Sequence, residues 1–178
     1  MSILSVKNLS KTYKQGSEAI KVLNNLNLDI NEGDTVAILG QSGSGKSTLL
    51  SLLSGLDSVD TGSIMISGKD LTSLSEKELA KFRGENVGII FQQFHLMNHM
   101  TALENVSLPL EIAKIAGYKV KAKEALDKVG LGHRLTHYPS EMSGGENQRV
   151  AIARAFIVEP SILIADEPSG NLDSETGQ

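Results

Sequence analysis

One short segment limits the folds open to this chain more than any other. Residues 40–47 read GQSGSGKS and lie between the apolar run TVAILG and the leucine-rich run TLLSLL. Packing gives no reason for Gly43 and Gly45, because glycine buries no side chain and loses the most backbone entropy on folding. Between a strand and a helix, however, glycines let successive N–H groups turn inward, and the helix N-terminus adds positive potential. The segment therefore predicts an anion-binding loop at a strand-to-helix junction.

The spacing of this segment fits the G-x-x-x-x-G-K-[ST] pattern of loops that bind nucleotide phosphates. In that chemistry Lys46 reaches the β- and γ-phosphates, and the Ser47 hydroxyl ligates Mg²⁺. A flexible Gly-Ser loop with a surface lysine is the alternative, and the strand-to-helix context argues against it. The predicted nucleotide-binding residues are Gly40, Gln41, Ser42, Gly43, Ser44, Gly45, Lys46, Ser47 and Thr48.

The run SILIADEP predicts a second half of the same site. An apolar strand that ends at Asp166 and Glu167 places carboxylates at the carboxyl edge of a parallel sheet, where α/β folds bind ligands. Asp166 would hold Mg²⁺, and Glu167 would act as the general base on the attacking water. An apolar strand followed by two acids is a weak signal alone, but downstream of a phosphate loop it indicates catalysis. ATP and Mg²⁺ are the predicted cofactors.

The hydrophobic pattern predicts an α/β fold. Residues 2–34 alternate as in half-buried antiparallel strands with a turn at GSEA, whereas residues 35–40 and 161–166 are continuous apolar runs typical of parallel strands buried on both faces. GSIMISG and NVGIIFQ indicate further short strands. Helices are predicted after Lys46 and at residues 75–82, 101–116, 119–129 and 143–158. We expect one domain, 1–178, with a parallel-sheet core, an N-terminal antiparallel β subdomain and an inserted helical subdomain at 94–142.

Three of the predicted helices begin with a capping box, in which a Ser or Thr and a Glu three residues later satisfy each other's backbone N–H groups. The pairs are Ser75 with Glu78, Thr101 with Glu104, and Ser143 with Glu146.

Composition excludes several classes of protein. A net charge of -4 gives no broad cationic field, so no nucleic-acid partner is expected. The absence of cysteine excludes disulfides and thiolate metal sites, and it fits a reducing cytosol. Because no apolar run approaches the roughly 18 residues of a membrane span, any membrane role must come through a partner.

Three stretches, MSGGENQRVAIARAF, FQQF and ADEPSGNLD, make the sequence resemble the ATP-binding subunits of ABC transporters over essentially its whole length. Within that family it is most similar to the LolD and MacB branch. The resemblance implies a P-loop NTPase with a RecA-like core. It also implies Mg-ATP hydrolysis between two head-to-tail copies, or between this chain and a related subunit. The partner would be a transmembrane permease that exports or extrudes lipoproteins or peptides, with this subunit on the cytoplasmic face of the membrane.

The resemblance also assigns roles to residues outside the two phosphate motifs. Tyr13 matches the aromatic residue that stacks on adenine, although a tyrosine that closes a strand fits equally well. Gln92 matches the glutamine that senses Mg²⁺ and the attacking water, and Glu167 and Lys46 complete the catalytic set. The γ-phosphate of ATP held by the partner would contact Ser143, Gly144 and Gly145. Residues 170–173 match the loop that follows the dimer interface.

Two positions of the signature depart from the usual pattern, Met142 for Leu and Glu146 for Gln. A carboxylate at residue 146 would repel the partner's γ-phosphate unless its capping bond directs it away.

The resemblance further implies a later strand, between the two phosphate-site strands, that ends in a switch histidine. No histidine follows His137, so we expect a chain without these C-terminal strands and with weak turnover. A nucleotide-binding module without turnover is therefore the alternative function. A soluble ABC protein acting on DNA or ribosomes is disfavoured, since neither a second cassette nor a coiled-coil insertion is present. A P-loop kinase or GTPase has no use for the S-G-G helix.

Overall fold

Strands and helices alternate as an α/β fold requires, which confirms the predicted fold class. The computed structural model describes residues 2–166. The strands are β1 (Ser2–Gln15), β2 (Glu18–Asn31), β3 (Thr61–Ile66), β4 (Lys69–Asp70), β5 (Val87–Ile90) and β6 (Ile162–Ala165). The helices are α1 (Lys46–Leu53), α2 (Glu76–Asn86), α3 (Ala102–Ile112), α4 (Tyr118–Lys128) and α5 (Gly144–Phe156). The chain divides into two units, Met1–Arg83 and Gly84–Gln178.

The first unit is built on an antiparallel sheet in the order β2-β1-β3-β4. Leu4 and Val6 of β1 are buried at even positions, whereas Leu9 is buried at an odd one. A register shift between Val6 and Leu9 explains the change, because one extra residue reverses which side chains face the core. Asn8, at φ 50°, lies at that irregularity.

The second unit pairs β5 with β6 in parallel and packs three helices around a separate core. Val106 of α3, Leu126 of α4 and Val150 of α5 are fully buried in this cluster. Both α3 and α4 lie within residues 94–142, where a helical subdomain is predicted. No helix among residues 2–166 combines the length and apolar character needed to cross a membrane.

The prediction of a strand buried on both faces at residues 35–40 is wrong. This segment has no regular secondary structure, and Leu39 is 91% exposed. A β-strand exists only through hydrogen bonds to a neighbour, and within the described part of the chain no strand pairs with this segment. The other apolar run, residues 161–166, does form β6. Leu163 is exposed, however, so β6 is buried on one face rather than on both.

Helix boundaries differ from the predicted ones where local geometry decides. α3 ends at Ile112 rather than at residue 116, because Ala113 caps it and Lys114 turns to φ 57°. α2 continues to Asn86, beyond the predicted end at residue 82. Both differences lie at helix ends, where a periodic pattern carries the least information.

The predicted capping boxes are confirmed, and that of α5 carries an additional ion pair. Ser143 N donates to Glu146 Oε2 at 2.8 Å, and Glu146 N donates to Ser143 Oγ at 3.2 Å. Arg134 Nε donates to the other carboxylate oxygen of Glu146 at 2.8 Å. The bond from the Ser143 backbone, with that from Arg134, outweighs burial and lowers the pKa of Glu146 to about 2. The carboxylate is therefore held in its charged form.

Replacing Glu146 with Gln should make stability less dependent on pH in the acid range. Glu146 is ionised in the folded state down to a pKa of about 2, below its ordinary value of 4.5, so its contribution is complete above pH 4.5 and is lost as the pH falls toward 2. We expect Glu146→Gln to lower the free energy of unfolding by about 1 kcal/mol at neutral pH and by progressively less below pH 4.5. Urea unfolding across this range measures the difference. Glu124→Gln, on the exposed surface of α4, is the matched control. A difference that stays constant with pH would contradict the assignment.

Candidate functional site

The predicted phosphate-binding loop, residues 40–47, lies against β2 and leads directly into α1. Gly43 and Gly45 have φ values of 79° and 91°, a region that other residues adopt only at a cost. A Cβ atom on Gly45 would lie 2.9 Å from Val22 Cγ1 and 3.3 Å from the Val22 carbonyl oxygen. Glycine is thus required at this position both for the turn and for the close approach to β2.

Lys46, the first residue of α1, folds back across the loop. Its Nζ donates to the carbonyl oxygens of Gly40 and Gln41 at 2.8 and 2.9 Å. The first turn of α1 contains no acidic residue, so no carboxylate on it competes for the positive end of the helix. An ammonium group and free first-turn N–H groups at one place form a donor set that fits a triphosphate.

The first turn of α1 also carries two of the hydroxyl residues of the predicted site, Ser47 and Thr48. Ser47 is exposed and Thr48 is half-buried. Residues 40–44 are also exposed, although two of their carbonyl groups bind Lys46. A serine hydroxyl is an oxygen donor of the kind Mg²⁺ prefers.

Tyr13 lies near the end of β1, and its residue surface is 39% exposed. Its hydroxyl donates to Asp57 Oδ2 at 2.6 Å. This bond and partial burial raise the pKa of Tyr13, and a hydrogen bond with the Thr48 side chain opposes the rise. The position of Tyr13 is compatible with both predicted roles, a tyrosine that closes a strand and an aromatic ring on which a base can stack. Sequence reasoning missed Asp57, since nothing in its local pattern marks it.

In the second unit, Gln92 and Asp166 follow neighbouring parallel strands. Gln92 is exposed two residues after β5, and Asp166 comes directly after β6. The Asp166 N–H donates to the Ile90 carbonyl at 3.0 Å, which extends the β5–β6 pairing by one step. Both side chains therefore stand at the carboxyl edge of the same sheet, and both offer oxygen ligands. Glu167 and residues 170–173 lie outside the described residues.

Arg154 of α5 holds the loop that follows Gln92, a role that the sequence analysis missed. Its Nη1 and Nη2 donate to the carbonyls of His95 and Phe94, each at 2.7 Å. Both of those residues have positive φ, 46° and 54° respectively. Burial lowers the pKa of Arg154, and the two carbonyls partly replace its lost hydration. The one visible signal is a charged residue among the buried alanines of the IARAF run.

The signature residues lie at the start of α5. Ser143 is the N-cap, and Gly144 and Gly145 form the first turn. Gly144 is exposed, and a Cβ atom there would meet nothing within 4 Å. The Glu146 carboxylate is bonded to the Ser143 N–H and paired with Arg134, so it stays beside the signature turn with part of its charge compensated.

The predicted site residues are divided between the two units. Residues 40–48 and Tyr13 belong to the first unit. Gln92, Asp166 and the signature residues belong to the second.

Comparisons with known proteins identify the family of the chain. The family model for ABC transporters matches residues 23–170. The lipoprotein-releasing system ATP-binding protein LolD of Pseudomonas fluorescens is 50% identical over 99% of this chain and 79% of its own length. LolD of Geobacter metallireducens is 49% identical over 98% of this chain and 79% of its own. The ATP-binding cassette MJ0796, solved as a dimer in a post-hydrolysis state with ADP and phosphate, superposes with a TM-score of 0.91 at 45% identity, over 98% of this chain and 78% of that one. This chain therefore belongs to the ABC transporter family, among its ATP-binding ATPase subunits.

Proposed function

We propose that residues 40–48 bind the triphosphate of Mg-ATP, and that hydrolysis between two head-to-tail subunits drives a membrane permease. The second subunit is another copy of this chain or a related ATP-binding chain. The observation that carries the proposal is the loop itself, in which two positive-φ glycines, the start of α1 and the Lys46 ammonium converge.

Binding exchanges weak interactions of Lys46 for stronger ones. In this structure its ammonium group donates to two neutral carbonyls. A phosphate oxygen is a charged acceptor, and such hydrogen bonds are shorter and about twice as strong as neutral ones. The first-turn N–H groups of α1, which have no acceptor within the helix, bind the remaining phosphate oxygens.

We propose Ser47, Gln92 and Asp166 as Mg²⁺ ligands, because each side chain carries an oxygen donor of the kind that this ion prefers. When bound, Mg²⁺ neutralises charge on the β- and γ-phosphates. We propose that Glu167 orients the attacking water and accepts its proton, with Gln92 as the second contact to that water. Attack at the γ-phosphorus breaks its bond to the bridging oxygen and releases ADP and phosphate.

The signature turn is proposed to contact ATP held by the other subunit. Open space at Gly144 lets an anion reach the N–H groups of Gly144 and Gly145 and the Ser143 hydroxyl, whereas the Ser143 N–H is already bonded to Glu146. The guanidinium of Arg134 compensates part of the Glu146 charge and so reduces its repulsion of that anion. The dimeric form of MJ0796, with ADP and phosphate bound, supports this arrangement.

The transported substrate is proposed from the relatives. Two that are 49% and 50% identical are named for a lipoprotein-releasing system, which supports a permease that releases lipoproteins outward from the membrane. We propose that the subunit lies on the cytoplasmic face through this permease. We also propose that 1–178 forms a single ATP-binding domain in which 94–142 is the helical subdomain.

Lys46→Ala should weaken Mg-ATP binding by about ten- to a hundredfold, the value of a hydrogen bond to a charged group. Isothermal titration calorimetry with Mg-ATP measures the affinity. Lys77→Ala, on the exposed first turn of α2, removes a similar charge elsewhere and should leave the affinity unchanged. Equal affinities for Lys46→Ala and the unaltered chain would overturn the proposed binding site.

Glu167→Gln should separate binding from turnover. Because the amide cannot accept the proton of the attacking water, we expect steady-state phosphate release to fall by at least about a hundredfold while ATP affinity is retained. Release that is already negligible in the unaltered chain, with ATP bound normally, would instead support the nucleotide-binding module without turnover.

Gly45→Ala should damage both the fold and nucleotide binding. The methyl group adds a positive-φ cost of about 1–2 kcal/mol and a clash with Val22 that costs about as much again. Gly16→Ala is the matched control, since Gly16 has φ 62° and a Cβ there would meet nothing within 4 Å. Chemical unfolding should show a larger loss for Gly45→Ala, and calorimetry should show a loss of ATP affinity for that variant alone. Equal losses of stability would exclude the Val22 contact as the cause.

A further inference from the structure

One carboxylate joins two side chains of β1 to the segment that follows α1. Asp57 Oδ1 accepts from Lys11 Nζ at 2.9 Å, and Asp57 Oδ2 accepts from Tyr13 Oη at 2.6 Å. Lys11 and Tyr13 are two residues apart on a strand and so stand on the same face of the sheet. Lys11 is only 6% exposed, and its ammonium also donates to the Ser58 carbonyl at 2.6 Å.

Asp57 is itself held in place. The Ser58 N–H donates to Asp57 Oδ1 at 2.7 Å, and the Asp57 N–H donates to the Ser51 carbonyl, in α1, at 3.3 Å. Burial acts to raise the pKa of Asp57, but the bonds from Tyr13 and Lys11 outweigh it and the pKa is lowered. The carboxylate is thus a charged bridge from β1 to the far end of the helix that begins with Lys46.

The bridge leaves the Tyr13 ring open while restricting how it can turn. Tyr13 as a whole residue is 39% exposed, although its hydroxyl group is bonded. Lys11 Nζ lies 5.0 Å from the ring centroid, a cation–π distance that adds a second restraint. Because the Tyr13 hydroxyl already donates its hydrogen bond to Asp57, the ring offers a ligand its face rather than a hydrogen-bond donor.

We propose that Asp57 is a positioning residue for the nucleobase, holding the Tyr13 ring at a set orientation to the phosphate-binding loop so that one nucleotide meets both. This inference rests on the proposed function only in taking residues 40–48 as the triphosphate site. Stacking on a ring face accepts any flat base, so the class of ligand is a nucleoside triphosphate, and Tyr13 does not select adenine.

The test compares a ligand that has a base with one that has none. Affinities for ATP and for inorganic tripolyphosphate are measured by calorimetry on the unaltered chain, Tyr13→Phe and Asp57→Asn. Tyr13→Phe keeps the ring and the Lys11–Asp57 pair but removes the bridge. In Asp57→Asn a single acceptor oxygen cannot serve both Lys11 and Tyr13. Ordering a freed side chain on binding costs about two- to tenfold in affinity, so each variant should bind ATP more weakly by that factor and tripolyphosphate unchanged.

Asp60→Asn is the matched control. Asp60 precedes β3 and accepts a hydrogen bond from the Thr12 N–H of β1 at 2.7 Å, so the substitution alters a carboxylate bonded to the same strand as Tyr13 without removing a bond of Tyr13. It should not change the ratio of the two affinities. The double variant Tyr13→Phe with Asp57→Asn should bind ATP no more weakly than the single variant with the lower ATP affinity, because both substitutions remove the same bridge.

The outcomes separate this inference from the proposed function. If Tyr13→Phe binds ATP as tightly as the unaltered chain, or if both ligands lose affinity equally, Asp57 does not position the base. If the unaltered chain fails to bind tripolyphosphate, or if the unaltered chain and Lys46→Ala bind tripolyphosphate with equal affinity, the triphosphate site itself is misassigned.

Discussion

At Gly45 the backbone of the phosphate-binding loop comes so close to β2 that no side chain fits between it and Val22. This contact decides where α1 begins, and the start of the helix in turn decides where the Lys46 ammonium and the first-turn N–H groups lie. The other end of α1 leads to Asp57, which is tied to β1 through Lys11 and Tyr13. The helix is therefore attached to the sheet at both ends, and a triphosphate would meet donors that need little reordering. Preorganisation of this kind lowers the entropic cost of binding.

In the second unit a loop is also fixed to a neighbouring element, but by the cation Arg154 rather than by a close backbone approach at a glycine. The guanidinium of Arg154 binds two carbonyls of the loop after Gln92, and both residues that supply them have positive φ. The strain of these conformations is offset by the two charge-assisted hydrogen bonds. Because Arg154 lies on α5, the helix that begins at the signature turn also supports the loop that carries Gln92. A shift of α5 would thus be transmitted to that loop through a direct contact.

Features that depend on neighbouring residues could be predicted from the sequence, and features that depend on distant partners could not. The spacing of Gly40, Gly45 and Lys46 located the loop, and Ser143 with Glu146 located the start of α5, because both patterns act within one or two turns of chain. Residues 35–40 looked like a buried strand, but strand formation is settled by a partner, and an apolar run does not name one. The bonds of Asp57 to Tyr13 and of Arg154 to Phe94 span 44 and 60 residues, beyond the reach of a local pattern. The register shift after Val6 likewise moved Leu9 and Lys11 into the core at odd positions without any mark in the composition.

The distribution of charge explains how a chain with a net charge of -4 can offer sites for a polyanion. Two acids near the proposed phosphate contacts in sequence are compensated. Glu146 is bound by Arg134 and the Ser143 N–H, and Asp57 is bound by Lys11. Lys46, in contrast, donates to two neutral carbonyls, and no carboxylate among residues 2–166 forms an ion pair with it, so its charge remains available to a phosphate. Local compensation of this kind acts over a few ångströms, whereas the field of the remaining surface acids is screened over about 8–10 Å at ordinary ionic strength. Affinity for the triphosphate is therefore decided by the cations and N–H groups within the loop and the helix N-terminus rather than by the sign of the whole molecule.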